Sequence, residues 1–435
     1  MTTATADTAT DLPPETVKPA RSSERIAGLD FIRGIAVMGI LAANIVAFGQ
    51  PWTAYIWPDA FLTGHDATDE WLYVAQFTLI DGKMRGLFTL LFGAGVALFM
   101  ERAWARGSTR WLQVRRLAWL LVFGLVHFFL IWRGDILTLY AIAGFVAVLF
   151  LRMDGRALMA LGLSGYALGC LIYFATIGSA YFMAETPLRD AEGMEEVAVT
   201  LDAAKEEALA IDARERPILE SGSYLDYVTN NVTKHAADLL NVLWLFIFET
   251  LPLMLVGMAM YKFGWFSPDG SVRKRRIWGW SLLIVGGVLS LLIALWLRST
   301  GFGYWAATAA LMSFSMPPRL LMILGLAVLL AQWGAVASGW LAERVSAAGR
   351  AAFTNYIGTS VLMMLVFHPW AGRLWGELDR PMLYLVVLLA WTIMLAWSAP
   401  WLGRFRYGPL EWLWRCLTYG KLFALRREEA TAPRS

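Results

Sequence analysis

The chain has 435 residues, 58% of them apolar and only 16% charged, with 22 Trp and 24 Phe. That balance excludes a soluble globule and describes a protein whose solvent is the lipid bilayer. A formal net charge of +3 is too small to argue for nucleic acid, so no nucleic-acid partner is expected, and the two cysteines, Cys170 and Cys416, stand too far apart to suggest a disulfide frame or a metal site.

Residues 1–24 are rich in Thr, Ala and Pro and lack an apolar core, so they read as a disordered tail that carries no signal peptide. The first apolar run covers residues 29–48, about the 20 residues a crossing needs. Further crossings are expected near 86–101, 114–132, 136–151, 157–183, 238–261, 277–297, 319–336, 351–367 and 382–402. The expected fold is therefore an all-α, polytopic membrane helix bundle over 25–407 with about ten transmembrane helices. The stretch 304–316 is too short to cross and is followed by Pro317 and Pro318, so it reads as a half helix. Residues 184–235 carry twelve Asp and Glu against five Lys and Arg and read as a helical cap on the outer side. Residues 408–435 mix Trp and Leu with Arg and Lys, as an amphipathic segment on the inner leaflet does, with Glu411 and Arg415 spaced to pair.

Loop charge sets the orientation. With the N-terminus inside, about 25 of the 37 Lys and Arg fall on the cytoplasmic side, so both termini are expected to be cytoplasmic.

Ionisable groups at membrane depth are costly and mark sites. On the first helix Arg33 and Asn44 share a face, three turns apart, with Asp30 one turn below Arg33. Before the second crossing stand Lys83 and Arg85, where an anionic substrate can be gripped or a cation can snorkel. The stretch 124–144, GLVHFFLIWRGDILTLYAIAG, holds His127, Arg133 and Asp135. A neutral imidazole at His127 can take a proton from a hydroxyl or amine while Asp135 orients its other nitrogen. His65 is a reserve base, whereas His235 and His368 read as ordinary. Gly93 and Gly95 lack the preceding strand of a phosphate loop and read as helix packing.

Five runs in order, LDFIRGIAVMGILAANIVAFG (29–49), LFTLLFGAG (87–95), HFFLIWRGDILTLYAIAG (127–144), GRAAFTNY (349–356) and GPLEWLWR (408–415), resemble the bacterial YeiB family of multi-pass inner-membrane proteins. That family is in turn remotely similar to transmembrane acyltransferases, among them heparan-glucosaminide acetyltransferase and the enzymes that O-acylate surface polysaccharides. The resemblance implies an acyl group moved from cytoplasmic acyl-CoA, as co-substrate, to an outer hydroxyl or amine on an envelope glycan or lipid. In the polysaccharide enzymes an Arg is followed after ten residues by a catalytic His; here Asn44 stands in that place after Arg33, and an amide cannot accept the proton. Either the chemistry has moved to His127 or His65, or there is none; the reading adopted puts the base at His127, with Asp135 as orienter and Asn44 as a neutral donor to the thioester oxygen. His65 suits the position of the lysosomal enzyme's histidine. Asp30, Arg33, Arg115 and Arg116 are expected to receive the CoA phosphates, and Lys83 to touch the acceptor. A transporter or flippase of an anionic or amphipathic solute uses the same polar groups without a covalent step, and a homo-oligomer stays open.

Overall fold

The computed structural model describes residues 27–266 and 271–427, so the polar tail over 1–24 and residues 428–435 lie outside the described residues. Among the described residues the chain is all helical, and its one β-bridge joins Phe405 to Arg426. In chain order the helices are α1 (Ala27–Gly49), α2 (Ala67–Leu79), α3 (Lys83–Trp104), α4 (Arg110–Val126), α5 (Leu137–Ala147), α6 (Gly155–Tyr173) and α7 (Ser179–Glu185). Then come α8 (Glu195–Ser221), α9 (Tyr224–Lys234), α10 (Asp238–Lys262), α11 (Val272–Ser299) and α12 (Tyr304–Ala309). The chain closes with α13 (Met316–Val336), α14 (Trp340–Arg350), α15 (Ala352–Phe367), α16 (Arg380–Arg404) and α17 (Pro409–Tyr419).

Among the described residues seven helical segments are long and apolar enough to cross a membrane, or eight if α14 and α15, bent by 87° at Ala351, form one span. The shorter apolar helix Leu137–Phe150 lies among them. The apolar periods of the sequence thus become helices at the expected places, and the stretch 304–316 becomes α12 followed by a π-helical turn, Ala310–Phe314, rather than a crossing. Two helices have no counterpart in the sequence reading. In α2 the side chain of Asp66 accepts the N–H groups of Thr68 and Asp69 while Asp69 reaches back, a reciprocal cap that starts a helix in a polar stretch. The other is α14, whose short amphipathic sequence runs across the end of α1.

Burial sorts the bundle into an inside and an outside. In α1, 61% of the apolar window is buried, against 22% in α11, so α1 is a central post and α11 faces lipid. Around α1 pack α3, α13, α14, α15 and α16, and α10 fills the space between α3, α5 and α6. The crossing of α3 and α10 depends on two glycines: a Cβ on Gly93 would lie 2.1 Å from the Met254 carbonyl oxygen, and one on Gly257 1.9 Å from that of Leu90. Only backbone against backbone fits there.

The bundle has two unlike ends. One carries Arg102, Arg116, Arg350, Arg404 and Arg415 and is called the basic end. The other is covered by α8 and α9, the helical cap, in which Ser223 and Asp226 start α9 with a second reciprocal cap. The cap is tied down where Asp212 accepts the Thr53 N–H at 3.0 Å and Glu215 accepts Arg133 at 2.6 Å. At the basic end α17 is partly buried rather than lying free. The Glu411 carboxylate accepts the N–H groups of Phe353 and Thr354 and the Thr354 hydroxyl, and the Trp414 indole donates to the Arg116 carbonyl. The expected Glu411 to Arg415 pair does not form, because Glu411 is needed to cap α15 and Arg415 lies over the rings of Tyr407 and Tyr419.

Candidate functional site

The site begins where α4 stops being an α-helix. From His127 to Ile131 the chain widens into a π-helical turn, a feature frequent at functional positions because it re-aims one side chain without ending the helix. The chain then reverses through Gly134 into α5, whose first N–H groups need acceptors. Asp135 supplies them: Oδ1 accepts Leu137 N–H at 3.1 Å and Oδ2 accepts Thr138 N–H at 2.7 Å. The same Oδ1 lies 2.9 Å from His127 Nδ1, and both side chains are wholly buried. A carboxylate only accepts, so Nδ1 carries the hydrogen and Nε2 keeps its lone pair. Nε2 has no hydrogen-bond partner among the described residues. Close approach of α4 to α5 permits this, since a Cβ on Gly124 would lie 2.5 Å from Thr138 N and 3.0 Å from Asp135 Oδ2.

On one side of this pair lies a cavity of about 360 Å³ that reaches the basic end between α1, α3, α4, α15 and α17. Arginine surrounds its mouth. Arg33 pairs with Asp30 at 3.0 Å, Arg116 is held between Phe99 and Trp414 at 4.7 and 4.3 Å from the ring centres, and Arg102, Arg350 and Arg415 complete the wall. Deeper, the wall is apolar, with Phe88, Phe92 and Leu120, and the cavity ends on Leu137, Tyr140 and Tyr356. The Tyr356 ring centre is 5.1 Å from that of His127, and its hydroxyl accepts Ile136 N–H at 3.2 Å. The cavity therefore stops one side chain short of His127.

On the other side is a narrow cleft of about 30 Å³ beneath the cap, lined by Trp52, Trp132, Arg133, Glu215, Tyr227 and His368 among others. The Trp132 ring centre is 6.4 Å from that of His127. His127 is thus part of the partition between the two spaces, touching the wall of each.

A second polar cluster is buried apart from both spaces. Glu249 on α10 accepts Arg85 at 2.5 Å and Arg319 at 3.2 Å, and Arg319 also donates to Ser315 Oγ at 2.7 Å. Nearby, Arg380 and Tyr384 donate to Gln76 Oε1 at 2.8 and 2.7 Å, and the Gln76 amide donates to Asp81 at 2.9 Å. Sequence reasoning passed over Glu249, Arg319, Arg380 and Gln76. The signal was there, since each of the three charges stands alone beside or within an apolar run, and such a charge needs a partner from another helix.

The structure brings together His127 and Asp135, and gathers Asp30, Arg33 and Arg116 at one cavity mouth. Others fall elsewhere. Arg115 lines no cavity, because its Nε is turned to the Thr418 carbonyl and secures α17. Asn44, half-buried on α1, makes no hydrogen bond among the described residues and lines neither space, so the face it shares with Arg33 leads away from the cavity. Lys83 does not snorkel to a surface where it could meet an acceptor; it is fully buried, with Nζ donating to the Phe77 carbonyl at 2.5 Å. His65 sits in the loop before α2, 3.5 Å from Asp59, and belongs to neither space. Among the described residues no group of three or more His, Cys, Asp or Glu side chains is arranged to hold a metal ion.

The family described as "Protein of unknown function (DUF418)" matches residues 260–421. The chain is 29% identical over 396 residues to the uncharacterized protein YeiB of Escherichia coli (strain K12), covering 91% of this chain and 96% of that one. It is 29% identical over 420 residues to the uncharacterized protein YxaH of Bacillus subtilis (strain 168), covering 93% and 96%. An uncharacterized 39.9 kDa protein from the amylase 3′ region of Bacillus acidopullulyticus is 25% identical over 413 residues. No solved structure matches. The likeness runs along nearly the whole length of these relatives, with the domain match at the C-terminal side, so the chain is similar to the YeiB family throughout.

Proposed function

We propose that this protein is an inner-membrane acyltransferase that carries an acyl group from cytoplasmic acyl-CoA to a hydroxyl or amine acceptor on the outer side. In this reading α5 and α10 join the longer helices to make ten crossings, the basic end faces the cytoplasm as the positive-inside rule requires, and both termini are cytoplasmic. The observation that carries the reading is His127, paired to Asp135, with an unpartnered Nε2, standing between a cavity open at the arginine-rich end and a cleft at the capped end.

The chemistry follows from that arrangement. Arg33, Arg102, Arg116 and Arg350 offer planar donors to phosphates at the mouth, and the apolar depth takes the thioester arm. The acceptor oxygen or nitrogen attacks the thioester carbonyl, its proton passes to His127 Nε2, the C–S bond breaks, and the proton moves on to the leaving sulfur. Asp135 holds the tautomer and offsets the imidazolium charge. For the ring to reach both reactants, Tyr356 and Trp132 have to rotate aside. The test is to incubate purified protein with labelled acyl-CoA and envelope glycans: transfer of label supports the reading, and absence of both labelled product and free CoA removes it.

The buried cluster of Arg85, Glu249, Arg319, Gln76, Asp81 and Arg380 favours a second reading, transport of an anionic or amphipathic solute along a charged path. Solute uptake into vesicles without CoA release distinguishes it.

A further inference from the structure

The cleft beneath the cap carries a buried polar group that the fold itself leaves unused. His368, at the end of α15, is 6% exposed, and its Nδ1 has no hydrogen-bond partner among the described residues. Burial pushes its pKa down to about 4, so at neutral pH the ring is uncharged and offers one donor and one acceptor. The ring is held rather than loose: it stacks on Trp370 at 4.4 Å and meets Tyr227 edge-on at 4.7 Å. Trp132, Trp375 and Asn230 line the same cleft. A buried polar group without a partner is costly, and here the His368 nitrogen is left unused beside a space walled by aromatic rings. The two charged side chains in its lining, Arg133 and Glu215, pair with each other at 2.6 Å.

From this arrangement we infer that the cleft under α8 and α9 is the acceptor subsite and that it takes a neutral, hydroxyl-rich ring, a saccharide, whose C–H faces lie on the Trp rings and whose hydroxyls meet His368, Asn230 and the indole N–H groups. An anionic ligand is disfavoured because no unopposed cation faces the cleft. The inference rests on the acyl-transfer reading for the word acceptor, though not for binding itself. As folded, the cleft has room for about 30 Å³, roughly one water, so a sugar ring enters only when α8 lifts away from Arg133 and Thr53.

The experiment is binding of neutral tetrasaccharides (cello-, malto- and chito-tetraose) to the full chain in nanodiscs, without acyl-CoA, read by saturation-transfer NMR and titration, with tetragalacturonate as the anionic comparison. The expected result is that a neutral probe binds and that His368→Ala and Asn230→Ala each weaken it about five- to tenfold, the loss of one hydrogen bond. Trp52→Ala, at a position 38% exposed and so harmless to folding, weakens it as well, while Trp278→Ala on the lipid face of α11 does not. Binding of none of the neutral probes, binding unchanged in all three cleft variants, or stronger binding of tetragalacturonate overturns the inference. Binding is read without acyl donor and turnover in the separate labelled acyl-CoA assay, so saccharide binding with no turnover there overturns the acyl-transfer reading alone, and turnover there without saccharide binding overturns this one alone.

Discussion

His127 Nδ1 and Asp135 Oδ1 lie 2.9 Å apart inside the bundle, and the same carboxylate closes the first turn of α5. One side chain thereby fixes both a tautomer and a helix start. Asp135→Asn keeps the shape and one capping oxygen, so it lowers stability less than loss of the whole carboxylate does while reducing turnover by about 10²–10⁴-fold. Asp135→Ala also removes the cap and lowers stability by about 1 kcal/mol or more. Thermal unfolding in detergent beside CoA release separates the two effects.

Arg116 and Arg115 are neighbours in sequence with opposite duties. Arg116 faces the cavity between Phe99 and Trp414, and Arg115 bonds the Thr418 carbonyl. Arg116→Ala raises the KM for acyl-CoA about tenfold or more, as loss of a charge-assisted contact does. Arg115→Ala leaves KM unchanged and loosens α17, which limited proteolysis detects. Equal KM effects from both would contradict the assignment of the cavity mouth.

The buried Glu249 faces two arginines, Arg85 and Arg319. Glu249→Ala strands those cations and costs about 3–5 kcal/mol. In a double-mutant cycle, Glu249→Gln with Arg319→Met recovers part of that loss. A cycle with no coupling, measured by unfolding in detergent, would show that the pair is dispensable.

The cap is held by a pH-dependent cluster in which Glu215 lies 2.5 Å from His235 and 2.6 Å from Arg133, with Asp238 2.6 Å from His235. Burial opposes the charge on His235, but its hydrogen bonds to the Asp238 and Glu215 carboxylates outweigh it and the Arg133 charge, raising the pKa above 6.5. Burial likewise opposes the charge on Glu215, and His235 and Arg133 outweigh it, lowering the pKa below 4.5. A raised histidine contributes fully below 6.5 and loses its contribution as pH rises through its folded value; a lowered carboxyl contributes above 4.5 and loses it as pH falls. The cap is therefore tightest between those two values and loosens as pH rises through the raised value of His235. Protease cleavage within α8, measured from pH 5 to 9, rises with pH, and His235→Gln removes that rise.

Much of this molecule is legible in the sequence because lipid imposes one rule, that a spanning segment is a long apolar helix. Runs such as 29–48 and 382–402 therefore announce α1 and α16. His127 and Asp135 were legible as isolated polar groups eight positions apart, although the π-helical turn that brings them together has no sequence signature. Arg115 and Lys83 misled because a cation near a helix end suits a surface, a ligand or a buried carbonyl equally well, and only packing decides. The partners of Glu249 come from α3 and α13, far away in the chain, so no local pattern could pair them. His368 read as ordinary because its unused nitrogen becomes visible only when Tyr227 and Trp370 close around it.

The central claim is that His127 passes an acyl group across the partition between the two spaces. The most direct measurement places labelled acyl-CoA outside proteoliposomes whose basic end faces outward and an acceptor glycan inside. The account predicts label on the enclosed glycan with wild-type protein and none with His127→Ala of equal stability. Label confined to the outside, or equal transfer by His127→Ala, would contradict it.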